Sequence, residues 1–180
     1  MSNPRILIVD DEENILHALK RLFRRENYQI LTATSAEEGL RIMEQQEVDL
    51  IISDLKMPVT NGVEFFAQVK EKKPEALRIM LTGHADLKSV IEAIDKGEIY
   101  RFLLKPWDDD DLKLTIKQAL EFYYLQKDHK VLTQTVKKQN AILEQLESEC
   151  PGITSVKRDP DGSVILDEEE ITQTHDKLGN

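Results

Sequence analysis

The sequence holds a single cysteine, Cys150, so no internal disulfide is possible and a folded unit must rest on its apolar core. Long apolar runs are missing as well. No stretch approaches the ~20 apolar residues of a membrane span. The earliest apolar run, Ile6–Val9, is too short for a signal peptide and meets Asp10 at once. Positive charge is in deficit: 24 Lys and Arg against 34 Asp and Glu give a formal net charge of −10. An acidic surface repels nucleic acid backbones and anionic membranes, so direct binding to either is disfavoured and a cytoplasmic location is expected. Proline and glycine are absent from Asp109 to Glu147, so nothing there interrupts a helix.

What is present is a regular alternation. The 180 residues suit one domain of ~120 residues with an appendage. Short aliphatic runs at Arg5–Val9, Gln29–Ala33, Asp49–Ser53, Leu77–Leu81 and Tyr100–Leu104 have the length of buried strands. Helical spacing separates them. Ile15, Leu19, Leu22 and Phe23 mark the first helix, and Ser35 with Glu38 forms a capping-box pair ahead of Leu40 and Met43. Val63, Phe66 and Val69 mark a third helix, Val90, Ile91 and Ile94 a fourth, and Asp108 caps a fifth. Five β-α units predict an α/β fold, a doubly wound parallel sheet with helices on both faces. Sites in such sheets form at the carboxyl ends of the strands.

Those ends carry the chemistry. The first strand runs into Asp10-Asp11-Glu12, the third into Asp54, the fourth into Thr82 and the fifth into Lys105-Pro106. Gathered carboxylates raise one another's pKa unless a cation intervenes, and hard oxygen ligands beside a phosphate suit Mg²⁺. Taken singly, Asp11 or Glu12 reads as a helix cap, Thr82 as a turn residue and Lys105 as a solvated lysine. Taken together, on separate strands, they suit phosphoryl transfer. Asp54 is the nucleophile, and Lys105 and Thr82 neutralise the phosphoryl oxygens. The Lys105-Pro106 bond is one where a cis form is accessible at low cost.

Residues 4 to about 122 resemble response-regulator receiver domains of two-component signalling. The resemblance rests on ILIVDDE at 6–12, DLIISDLKMPVTNG at 49–62, IMLTGHAD at 79–86 and YRFLLKPW at 100–107. It implies a flavodoxin-like (βα)5 fold with strand order 2-1-3-4-5. It also implies that Asp54 accepts a phosphoryl group from a histidine kinase. Asp11, Asp54 and the backbone carbonyl of Lys56 would hold Mg²⁺, with Asp10 helping through water. Thr82 and Phe102 match the family's switch pair, in which the hydroxyl moves inward and the aromatic ring follows. Lys56 and His84 would flank the path of attacking water and set the lifetime of the phosphorylated state; the rival reading is two exposed loop residues. YRFLLKPW also resembles receivers that precede effector modules, although no such module is evident after residue 112.

An unbroken helix over Asp109–Glu147 would span about 58 Å. Leu112, Ile116, Ala119 and Leu120 belong against the sheet. Beyond them Phe122, His129, Val136 and Leu143 alternate with Leu125, Leu132, Gln139 and Leu146 in a heptad register. Six of these eight are apolar, which predicts a parallel two-stranded coiled coil with Gln139 and His129 fixing register. The rival is a stripe that folds back on its own receiver or frays. Cys150-Pro151-Gly152 ends the helix. Ile153–Arg158 and Ser163–Leu166, joined by Asp159-Pro160-Asp161-Gly162, then read as a β-hairpin before a polar acidic tail from Asp167.

The expected division is therefore a receiver domain at 1–124, a coiled-coil helix at 125–149 continuous with the fifth receiver helix, and a hairpin with acidic tail at 150–180. The expected function is a Mg²⁺-dependent phosphoacceptor, not an enzyme beyond its own phosphoryl transfer and dephosphorylation. A histidine kinase is the donor, a second copy makes a homodimer, and an unidentified downstream protein receives the output. Two alternatives stand beside it: a constitutive dimeric scaffold or phosphate sink, and a regulatory subunit of an effector enzyme.

Overall fold

The computed structural model describes residues 3–83, 90, 91, 93, 94 and 99–150. Five parallel strands form one sheet in the order β2-β1-β3-β4-β5. They are β1 (Arg5–Val9), β2 (Gln29–Ala33), β3 (Leu50–Asp54), β4 (Leu77–Thr82) and β5 (Arg101–Leu104). Between them lie α1 (Glu13–Leu22), α2 (Ala36–Gln45) and α3 (Gly62–Lys72), and β5 is followed by α4 (Asp109–Glu149). This is the flavodoxin-like arrangement read from the sequence. In the segment between β4 and β5, Val90, Ile91, Ala93 and Ile94 are helical, with Val90 and Ala93 buried. The hairpin expected after Cys150 lies outside the described residues.

Alternation along each strand builds two cores. In β1, Leu7 and Val9 join Ile51, Phe65, Phe66 and Val69 on one face. Ile6 and Ile8 join Leu50, Ile52, Leu16, Leu19, Leu112 and Ile116 on the other. Both faces of the central strands are covered, which is why they read as continuous aliphatic runs.

Helix starts follow the predicted chemistry with one change. Ser35 Oγ accepts from Glu38 N–H at 3.2 Å, but the Glu38 carboxylate turns to Thr34, accepting from its N–H at 2.7 Å and hydroxyl at 2.9 Å. Only half of that expected box forms, because the neighbouring threonine offers two donors where Ser35 N–H offers one. The complete box is at α3, where Asn61 Oδ1 and Glu64 N–H meet at 2.9 Å and Glu64 Oε2 accepts from Asn61 N–H. At α4, Asp108 Oδ1 accepts from the N–H groups of Asp110 and Asp111, as anticipated.

The chain divides into two compact units, Met1–Lys127 and Asp128–Asn180. Helix α4 contributes to both. In the first unit Leu112, Thr115, Ile116, Ala119, Leu120 and Tyr123 are buried. Phe122, assigned above to the heptad seam, stacks on Tyr100 with ring centroids 5.3 Å apart, so one face of it is already occupied within the first unit. In the second unit Leu132, Val136, Leu143 and Leu146 are exposed large hydrophobics. His129 and Gln139 are exposed as well.

Candidate functional site

Strand order assembles the site. With β1 beside β3, β3 beside β4 and β4 beside β5, Val9 pairs with Ser53, Asp54 with Leu81 and Thr82 with Leu104. Asp10, Asp54, Thr82 and Lys105 therefore come to one edge of the sheet. Asp54 is the last residue of β3, and Leu55 N–H donates to Leu81 O at 3.1 Å, so the backbone on both sides of the carboxylate is tied into the sheet. Lys105 N–H donates to Thr82 O at 2.7 Å, fixing the start of that side chain. The Lys105-Pro106 bond is cis.

From that root Lys105 reaches across two strands. Its Nζ lies 2.8 Å from Asp10 Oδ2 and 2.5 Å from Asp54 Oδ1. Each acid keeps its other oxygen occupied. Asp10 Oδ1 accepts from Glu12 N–H at 2.9 Å, and Asp54 Oδ2 accepts from Lys56 N–H at 2.7 Å. Burial pushes the Asp10 carboxyl above its ordinary value, and the hydrogen bond from Lys105 recovers only part of the shift. Burial works against the Lys105 charge too, but its bonds to Asp10 and Asp54 outweigh that and hold the ammonium above its ordinary 10.5. Lys105 thus ties the two acids together at the strand ends.

Thr82 is buried, with Oγ1 donating to Gly83 O at 3.2 Å. Phe102 pairs with Met80 across the β4–β5 ladder and packs, half-buried, on the α3-side core. Asp11 is exposed beside the pair. His84 lies outside the described residues. Among the described residues no three acidic, histidine or cysteine side chains are already gathered as a cation cage. The donor chemistry nevertheless fits Mg²⁺: the single Nζ bridging Asp10 and Asp54 places both carboxylates within reach of one cation, and all the oxygens are hard.

Net charge concealed one feature. A groove of ≈ 540 Å³ is lined by Arg21, Arg24, Arg25 and Lys113 against Glu26 and Asp109, a local excess of positive charge on a chain whose total is −10. The signal was the run Lys20 to Arg25, which a sum over the whole chain averages away.

The architecture and the acid–lysine edge define a class that comparison with known proteins makes specific. The family model for the response regulator receiver domain matches residues 6–117, and the chain belongs to that family. The hydrogenase transcriptional regulatory protein HoxA of Cupriavidus necator is 36% identical over 144 residues, covering 80% of this chain and 30% of that protein. The crystal structure of the signal receiver domain of an HD domain-containing protein from Pseudomonas fluorescens Pf-5 superposes with a TM-score of 0.68 at 40% identity, covering 71% of this chain and 94% of that one. The crystal structure of adenylate cyclase from Rhodopirellula baltica gives 0.71 at 32% identity, covering 73% of this chain and 98% of that one. The chain spans about a quarter to a third of the length of the curated relatives it matches. The 144 residues matched to HoxA exceed the receiver segment, so that likeness runs on into the long helix.

Proposed function

We propose that this chain is a phosphorylation switch in a two-component system, accepting a phosphoryl group on Asp54 from a histidine kinase. One observation carries the reading: Lys105 Nζ is held between Asp10 and Asp54 at the strand ends. A buried carboxylate adjacent to a fixed ammonium is a nucleophile with its charge compensation in place. An Asp54 oxygen forms the bond to phosphorus as the donor's P–N bond breaks, the electron pair leaving with the imidazole. Lys105 and Thr82 then face the phosphoryl oxygens, and Phe102 follows Thr82 inward. Mg²⁺, bound through Asp11, Asp54 and the Lys56 carbonyl with Asp10 behind water, would supply charge neutralisation. Lys56 and His84 set the lifetime of the acyl phosphate. Equal dephosphorylation rates in Lys56→Ala, His84→Ala and the parent protein would remove that assignment.

Output in this reading is a protein–protein interaction through a homodimeric coiled coil at 125–149, with no enzymatic activity beyond the phosphoryl chemistry. A constitutive dimer whose partners ignore phosphorylation would make it a scaffold or phosphate sink, and a pulldown in both states separates the two. A second reading, the regulatory segment of a transcriptional regulator, is favoured by the HoxA match that continues into the helix. The net charge of −10 then leaves nucleic-acid contact to other parts of the assembly.

The decisive experiment is phosphoryl transfer from acetyl phosphate in Mg²⁺, read by intact mass. The parent protein should gain one phosphoryl group and Asp54→Ala none. Uptake by Asp54→Ala would overturn the assignment.

A further inference from the structure

The loop after the phosphoacceptor contains a backbone conformation that its residue type resists. Val59 has φ 70, and Thr60 N–H donates back to Pro58 O at 2.8 Å. An i→i+2 bond around a residue at that φ is the strained, rare form of the γ-turn. Positive φ in a β-branched residue is a genuine outlier. The Val59 side chain is fully exposed, so no core contact compensates.

Everything around Val59 is fixed. Leu55 N–H is tied to Leu81 O, and Gly62 N–H to Leu55 O at 2.8 Å. Gly62 sits so close that a Cβ would overlap the Asp54 carbonyl. Met57 is buried in the core, Pro58 has its φ set by the ring, and Asn61 is locked in the α3 capping box. The loop touches the acceptor side chain through Lys56 N–H on Asp54 Oδ2. The slack between that contact and the α3 anchor therefore collects at Val59.

Resting on the phosphoacceptor reading, we propose that Val59 is a positioning residue whose strained turn holds Lys56 N–H on the free Asp54 carboxylate, and that this turn relaxes when the carboxylate is modified. Modification changes the acceptor that Lys56 N–H must meet and inserts bulk beside it. The Lys56 peptide shifts, and Val59 is the joint able to absorb the shift. Strain present before phosphorylation and released after it favours the phosphorylated state. A residue at ease with positive φ removes that bias.

The test measures beryllofluoride affinity in Mg²⁺ and the thermal midpoint with Mg²⁺ alone and with both, in the full chain. Val59→Asn and Val59→Gly tolerate positive φ; Val59→Ile keeps the β-branch and the strain. Affinity should fall about three- to tenfold in the Asn and Gly variants and stay at the parent value in Val59→Ile. Affinity compares two folded states, so the unfolded-chain entropy of glycine does not enter. The midpoint of Val59→Asn should rise in Mg²⁺ alone, and that gain should vanish with beryllofluoride. Equal affinity across all four proteins, or no rise for Val59→Asn in Mg²⁺ alone, overturns the proposal while the phosphoacceptor reading stands. A parent protein that does not respond to beryllofluoride overturns both.

Discussion

Helix α4 carries the same three-and-four spacing of apolar residues along its whole length, yet its two halves have opposite fates. Leu112, Ile116 and Ala119 are fully buried. Leu125 is 70% exposed and Leu146 still 41%. Helical periodicity therefore announces that a face must be covered and says nothing about what covers it. The first half is matched by α1 and by the Ile6–Ile8 face of the sheet. Among the described residues the second half has no such match, and the coiled coil proposed above would cover it with a second copy of the same stripe.

The contrast breaks most sharply in stability. Ile116→Ala should cost about 2–5 kcal/mol of receiver stability, since it empties a sealed site. Leu143→Ala should cost the monomeric receiver no more than about 0.5 kcal/mol. Denaturant titration at a concentration below dimer formation reads both. Comparable losses would mean that the second half is buried after all.

Association should respond in reverse. Leu132→Asp combined with Leu143→Asp places charge in the seam and should weaken dimerisation by roughly a hundredfold or more, on the scale of about 1.5–3 kcal/mol per buried leucine. Light scattering measures the mass, and the beryllofluoride response of the receiver should be unchanged. A dimer that survives both substitutions would place the interface elsewhere, with the exposed Tyr100–Phe122 stack the first place to look.

How much of this was legible in the sequence depends on distance along the chain. Asp54, Thr82 and Lys105 were readable because each ends an aliphatic run, and strand order does the rest. The Asn61–Glu64 box was also readable, as an Asn-x-x-Glu pattern, but DLKMPVTNG draws attention to its turn and its acid instead. The Glu38 swing to Thr34 was not, because two acceptors compete for nearby donors and only geometry decides. The Lys105 bridge joins residues 95 positions apart, and the Val59 turn contradicts its residue's own preference. Local rules fail at such places because the surrounding structure overrides them. The heptad stripe was legible as a pattern, but a pattern of exposed residues does not say what covers it.

The acid–lysine unit gives a smaller, pH-dependent effect. Asp10 is raised, so the folded state binds its proton more tightly than the unfolded chain, and stability falls as pH rises from 3.8 through the raised value. Lys105 is raised too; its contribution is complete below 10.5 and lost as pH climbs through its folded value. Lys105→Met removes the charge that partly offsets Asp10 burial, and the window in which stability falls should extend toward neutrality. The variant should lose roughly 1 kcal/mol more at pH 8 than at pH 5 relative to the parent. A loss equal at both values would show that the lysine acts through packing alone.

The smallest expected effect lies at the root of the contrast between the halves. Tyr124 sits three residues before the division at Lys127, and its hydroxyl approaches Asp49 Oδ2 at 3.4 Å, an oxygen already held by Arg5 N–H at 2.8 Å. Burial and then the Asp49 charge push the Tyr124 phenol up to about 12. The long contact limits its worth, so Tyr124→Phe should cost no more than about 1 kcal/mol. Its signature is directional. The parent loses stability between pH 10.0 and about 12 because the unfolded phenol ionises first, and the variant should lack that component. Hydrogen exchange at residues 120–127 should quicken in Tyr124→Phe while the β1–β3 amides stay protected. If exchange there is unchanged, Leu120 and Tyr123 hold the helix without the Tyr124 hydroxyl, and the transition from buried to exposed along α4 does not depend on that contact.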